Sequence, residues 1–116
     1  MKLEVIKLDN GIKQINLSGR LDIQGTGEIE NSFTAHAASE KALVLVDMSK
    51  VEFMASIGIR ILLSNARSLE GRGGKMVLYK PTPMVRSVFK TTGIDEIVPI
   101  YDDFDAACAA LLNTTG

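Results

Sequence analysis

Leu43-Val44-Leu45-Val46-Asp47, followed by Val51-Glu52-Phe53-Met54-Ala55-Ser56-Ile57-Gly58-Ile59-Arg60-Ile61-Leu62-Leu63, reads as a buried strand, a short crossing loop and a helix that opens at Ser56. A continuous apolar run closed by an acid is the pattern of a strand covered on both faces. From Ile57 onward the period changes. Ile59, Leu62, Leu63, Ala66 and Leu69 fall on one helical face, and Arg60, Ser64, Arg67 and Gly71 fall on the other. Ser56 stands one residue before the periodic run, at the N-cap position, where a hydroxyl accepts from an otherwise unpaired amide. Free N–H groups and the positive end of a helix dipole at such a place tolerate a phosphate.

Upstream, Leu3, Val5 and Leu8, the turn Asp9-Asn10-Gly11, and then Ile12, Ile15 and Leu17 predict a hairpin over residues 2–18. Ser18-Gly19-Arg20-Leu21-Asp22 follows as a strand end or loop, and Gln24-Gly25-Thr26-Gly27 interrupts the pattern. Ile29, Phe33 and Ala37 recur every fourth residue, so a first helix is expected from Glu28 to about Ser39. Downstream, Gly71-Arg72-Gly73-Gly74 stops the second helix near Leu69, and Met76-Val77-Leu78-Tyr79 is a further strand. Thr82 and Pro83 open a third helix with Val85, Val88 and Phe89 inward and Gly93 as its stop. Ile97-Val98-Pro99-Ile100 reads as a short edge strand because of its proline. Asp102 is the expected cap of a last helix whose inner face is Phe104, Ala107, Cys108, Leu111 and Leu112, with fraying over residues 112–116. The order ββαβαβαβα predicts an α/β fold in one domain over residues 1–116, a mixed sheet of four to five strands with about four helices.

Composition narrows the function. A chain of 116 residues buries enough surface for one core. The net charge of −1, with no run of five or more like charges, speaks against nucleic acid or a membrane surface as partner. Cys108 is the sole cysteine, which leaves no internal disulfide and points to a reducing compartment. The first residues lack the apolar core of a signal peptide, and no stretch approaches the length of a membrane span. A cytoplasmic protein is expected.

Catalytic sets are hard to find. His36 is the sole histidine and belongs to the C-terminal part of the first helix, while Cys108 belongs to an apolar helix face. The two make a poor nucleophile–base pair. Spacings of the CxxC or HExxH kind are missing, so no metal or cofactor is implied. Gly71-Arg72-Gly73-Gly74-Lys75 follows a helix and precedes a strand, whereas a phosphate loop joins a strand to a helix. Asp22 and Asp47 both fall at expected strand ends, where a pair of carboxylates can do acid–base work.

Val46-Asp47-Met48-Ser49-Lys50-Val51-Glu52-Phe53-Met54-Ala55-Ser56-Ile57-Gly58-Ile59 resembles the signature of STAS domains, the fold shared by anti-sigma factor antagonists and the cytoplasmic tails of sulfate transporters. The resemblance runs through nearly the whole chain. Ser18-Gly19-Arg20-Leu21-Asp22 is similar to the family's G-E-L-D, Gly73-Gly74-Lys75-Met76-Val77-Leu78 to its G-G-x-L-x-L, and Val85–Ile94 to its v-x-x-x-F-x-x-t-G-[LI]. The resemblance implies that Ser56 is the serine phosphorylated in the antagonists. It implies a partner surface of Asp22, Ser56, Ile57, Gly58 and Arg60, with Gly58 the small close-packing position at the helix start. Two positions depart from the pattern. Ala55 replaces the acid before the serine, and Ile57 replaces a small polar residue after it. Loss of that acid removes a like charge beside any phosphate.

The resemblance implies a protein-binding switch without enzymatic activity or cofactor. Unphosphorylated, it would sequester a serine kinase that is also an anti-sigma factor. Phosphorylated on Ser56 it would let go, and a PP2C-type phosphatase would reset it. A monomer or weak dimer is expected. Two other readings stand beside this one: a scaffold STAS subunit of a transport or signalling assembly with Ser56 as a plain cap, and a small enzyme or nucleotide binder using Asp22 and Asp47.

Overall fold

The computed structural model describes residues 1–37 and 42–113. Its elements run β1 (Lys2–Lys7), β2 (Ile12–Leu21), α1 (Ile23–Ala37), β3 (Leu43–Met54), α2 (Ser56–Gly71), β4 (Lys75–Tyr79), α3 (Pro83–Thr92), a 3-10 turn (Ile94–Glu96), β5 (Ile100–Tyr101) and α4 (Phe104–Leu112). The five strands form one sheet in the order β1-β2-β3-β4-β5. β1 and β2 pair antiparallel, and every later pair is parallel. The mixed sheet and the order ββαβαβαβα are those expected.

Alternation along the strands divides the core. Ile15, Leu17, Val44, Val46, Met76 and Leu78 point toward the larger cluster, where Phe33 of α1, Leu62 and Leu69 of α2 and Phe89 of α3 close over them. Ile12, Leu45 and Val77 point the other way and are covered by Ala107, Cys108 and Leu111 of α4. Burial pushes the Cys108 thiol up, in keeping with a packing role. Asn65 is a buried polar side chain between the first two helices. Asn65 Nδ2 donates to the Ile61 carbonyl at 2.9 Å and to Thr34 Oγ1 at 3.3 Å, tying α2 to α1.

Several boundaries differ from expectation. Ser49–Met54 is not a crossing loop: β3 continues through it, held by β2 with Ser18 opposite Lys50 and Leu21 opposite Met54. Two register shifts, between Asn16 and Ser18 and between Gly19 and Arg20, absorb extra residues of β3. At the first, Asp47 Oδ1 accepts from the Ser49 amide at 2.9 Å. Asp47 therefore lies inside β3 and not at its end. α1 begins at Ile23 and runs through Gly25 and Gly27, which interrupt the sequence pattern but not the helix. Of its expected C-terminal end, Ser39 lies outside the described residues. β5 is Ile100–Tyr101, because the chain turns through 3-10 geometry after Gly93. Asp103, not Asp102, caps α4, its side chain accepting from the Ala106 amide at 2.9 Å, while Asp102 pairs with Arg86. Of the fraying expected over 112–116, Leu112 is helical and residues 114–116 lie outside the described ones. α3 matches the sequence reading: Thr82 caps it, proline opens it and Gly93 ends it at a φ of 80°.

Candidate functional site

β2 and β3 run side by side past the end of β4 and stop together. There each passes straight into a helix, β2 into α1 and β3 into α2. The Ala55 amide donates to the Leu21 carbonyl at 2.9 Å, so the two helix starts are neighbours. This junction brings Asp22 and Ser56 to one edge of the molecule.

Asp22 caps α1. Its Oδ1 accepts from the Gly25 amide at 2.7 Å, and its carbonyl accepts from the Thr26 amide at 2.9 Å. Its Oδ2 faces Arg20 Nε at 3.5 Å. The Gly25 N–H bond, with Arg20 adding to it, holds the Asp22 carboxyl below the usual aspartate range. The Arg20 guanidinium also lies over the Phe53 ring, 4.4 Å from its centroid. Close approach of the chain at this turn requires Gly25, since a Cβ there would sit 1.9 Å from the Arg20 carbonyl oxygen.

Ser56 is not the cap of α2. It is the first helical residue, and Ala55 occupies the cap position with no side-chain bond to offer. Among the described residues the amides of Ser56 and Ile57 have no acceptor, whereas those of Gly58 and Ile59 bond to the Ala55 carbonyl. Ser56 is exposed, Ile57 half-buried, and Arg60, one turn on, exposed. Gly58 is buried. A Cβ on it would meet Met54 Sδ at 2.6 Å and Leu21 Cβ at 3.1 Å, so the small residue lets α2 settle against the ends of β2 and β3. Asp47 is not part of this junction. It lies opposite Asn16, seven residues before Met54 and so roughly 20 Å away along the strand. The carboxylate pair suggested by the sequence is not assembled.

A family description, STAS domain, matches residues 5–107. The chain belongs to the STAS domain family. A relative from Bordetella bronchiseptica, named a putative anti-sigma factor antagonist, BtrV, is 30% identical over 95% of this chain and 94% of its own length. An anti-sigma factor antagonist structure from Mycobacterium paratuberculosis superposes with a TM-score of 0.86 at 26% identity, covering 97% of this chain and 94% of that one. The Bacillus cell fate determinant SpoIIAA, solved in its phosphorylated form, shares the fold with a TM-score of 0.69 at 21% identity over 94% and 99% of the two chains. No helix among the described residues of this STAS chain is long and apolar enough to cross a membrane.

Three further residues lie beside this junction without a sequence signal that places them there. Arg20 belongs to the stretch similar to G-E-L-D, but its stacking on Phe53 was not legible, because it depends on the extension of β3. Ile23 carried no assignment in the sequence and Gly27 belonged to the stretch that interrupts its pattern. Helical placement puts both on the exposed side of α1, next to Asp22.

Proposed function

We propose that this STAS domain is a non-enzymatic, cytoplasmic anti-sigma factor antagonist, a binding switch thrown by phosphorylation of Ser56. The observation that carries the proposal is the exposed Ser56 hydroxyl on the first turn of α2, beside Asp22 and the start of α1. A phosphate at that position meets two amides without acceptors and the positive end of the helix dipole, so the fold accommodates it. The bound protein does not. Dianionic phosphate introduced at the centre of a desolvated contact, where the bound protein sets no cation against it, costs binding several kcal/mol. Similarity to the Bordetella antagonist over most of both chains supports an anti-sigma factor as partner. In this reading Asp22, Ser56, Ile57, Gly58 and Arg60 form or support the docking surface, the partner is also the serine kinase, and a PP2C-type phosphatase restores the binding form.

The test is phosphoryl transfer with the purified kinase/anti-sigma factor of the same genome and ATP, followed by intact mass and site mapping. One phosphate, on Ser56 and absent from Ser56→Ala, is the expected result. Modification elsewhere, or none while the kinase binds the chain, contradicts it.

A further inference from the structure

Two residues at the start of α1 weaken the helix and give the core nothing in return. Ile23 is 78% exposed, so its β-branched side chain neither joins the interior nor favours the helix. Gly27, one turn later, has no positive φ, and a Cβ there would meet nothing within 4 Å. Alanine would fit at Gly27 and would hold the helix better. Gly25 nearby shows what a required glycine looks like, with a backbone oxygen in the place of its Cβ. Residues four apart share a helical face, so an apolar knob and a bare step line up on the outer side of α1, next to the junction that presents Ser56. Beyond Ser56, Arg60 is exposed and has no carboxylate partner among the described residues.

We propose that Ile23 and Gly27 are the apolar docking point of the Ser56 surface, received by an apolar socket on a folded protein that also sets a carboxylate against Arg60. The knob fills the socket, and the missing side chain at Gly27 lets the socket wall reach the helix backbone. Buried anchors of this kind dominate protein interfaces. Charge argues for a protein occupant over an anionic polymer or lipid surface: Arg20 is already paired with Asp22 and the N-terminal ammonium with Glu28, so among the described residues no free cation of α1's start faces outward, and the exposed Glu30 stands beside the strip. The inference rests on the proposed function, since the partner it takes is the anti-sigma factor.

Calorimetric titration of that purified anti-sigma factor into wild type, Ile23→Ser, Gly27→Ala and Arg60→Glu tests the proposal, with thermal unfolding and sedimentation of each variant alongside. Ile23→Ser should melt with wild type yet bind about tenfold or more weakly. Gly27→Ala should melt higher than wild type and still bind more weakly, a combination that loss of structure cannot produce. Arg60→Glu should weaken binding, and more so at low salt. Wild-type affinity in Ile23→Ser and Gly27→Ala overturns the docking point while leaving the proposed function standing. Failure of wild type itself to bind overturns both. Loss of self-association in Ile23→Ser with unchanged affinity makes the face a contact between copies, and that too overturns the proposal.

Discussion

The Ala55 amide and the Leu21 carbonyl, 2.9 Å apart, join the residue before α2 to the last residue of β2. This bond sets the starts of two helices side by side, one capped by a carboxylate and the other left open. The difference between the two ends gives the junction its testable properties.

Because Ala55, not Ser56, occupies the cap position of α2, Ser56→Ala should leave stability within about 0.5 kcal/mol of wild type. Ala55→Asp should stabilise by about 1 kcal/mol, since it supplies an acceptor for the open amides and a negative charge at the dipole's positive end. Urea unfolding of the two variants checks both. A loss of about 1 kcal/mol in Ser56→Ala, with no gain in Ala55→Asp, would return the cap to Ser56.

Gly58 and Met54 should be coupled. Gly58→Ala drives a Cβ against Met54 Sδ and Leu21 Cβ, an overpacking of about 1–3 kcal/mol, set against the roughly 1 kcal/mol that alanine gains over glycine in a helix. In a Met54→Ala background the thioether is gone and only the contact with Leu21 remains, so Gly58→Ala should cost clearly less than in wild type. A double-mutant cycle by denaturant unfolding measures the coupling, and strict additivity would contradict the contact.

Asp22 should make stability depend on pH in the acid range. Its folded pKa is depressed by the Gly25 amide and then by Arg20, so its ionised form stabilises the fold above the ordinary aspartate pKa. That contribution fades as pH falls through the lowered value. Asp22→Asn keeps a capping oxygen and loses the charge. The gap in stability between wild type and this variant should be fullest near neutrality and should close as pH falls below about 4. A gap that stays constant with pH would mean that the charge plays no part.

The sequence spelled out those features whose signals are local. Thr82, Pro83 and Gly93 bound α3 as read, because a capping hydroxyl, a fixed φ and a left-handed stop act within a few residues. Signals that depend on distant contacts misled. Met48-Ser49 follows what looks like a strand end, yet β2 pairs with the chain on both sides of it and a bulge absorbs the mismatch. Gly25 looks like a break, yet it is there because the Arg20 carbonyl leaves room for no other residue. At adjacent acids the sequence cannot choose: Asp102 is drawn to Arg86 on another helix, and the cap falls to Asp103. At the site, Asp22 stood out as an acid at a strand end and Ser56 as a residue at a helix start, both also through the family pattern, but the cap place expected of Ser56 belongs to Ala55. Ile23 did not stand out, because exposure of an apolar residue is settled only when the helix it opens is placed against the sheet.

Calorimetric titration of the anti-sigma factor into wild type and Ser56→Asp, read beside their melting temperatures, tests the switch most directly. An acid on the first turn of α2 should hold or slightly raise stability, by about 0.3–1 kcal/mol. Its charge in the desolvated contact should weaken binding by tenfold or more, each factor of ten being about 1.4 kcal/mol. Equal stability with lost affinity is the result predicted. Equal affinity for the two proteins would contradict the account and leave Ser56 as an ordinary helix residue.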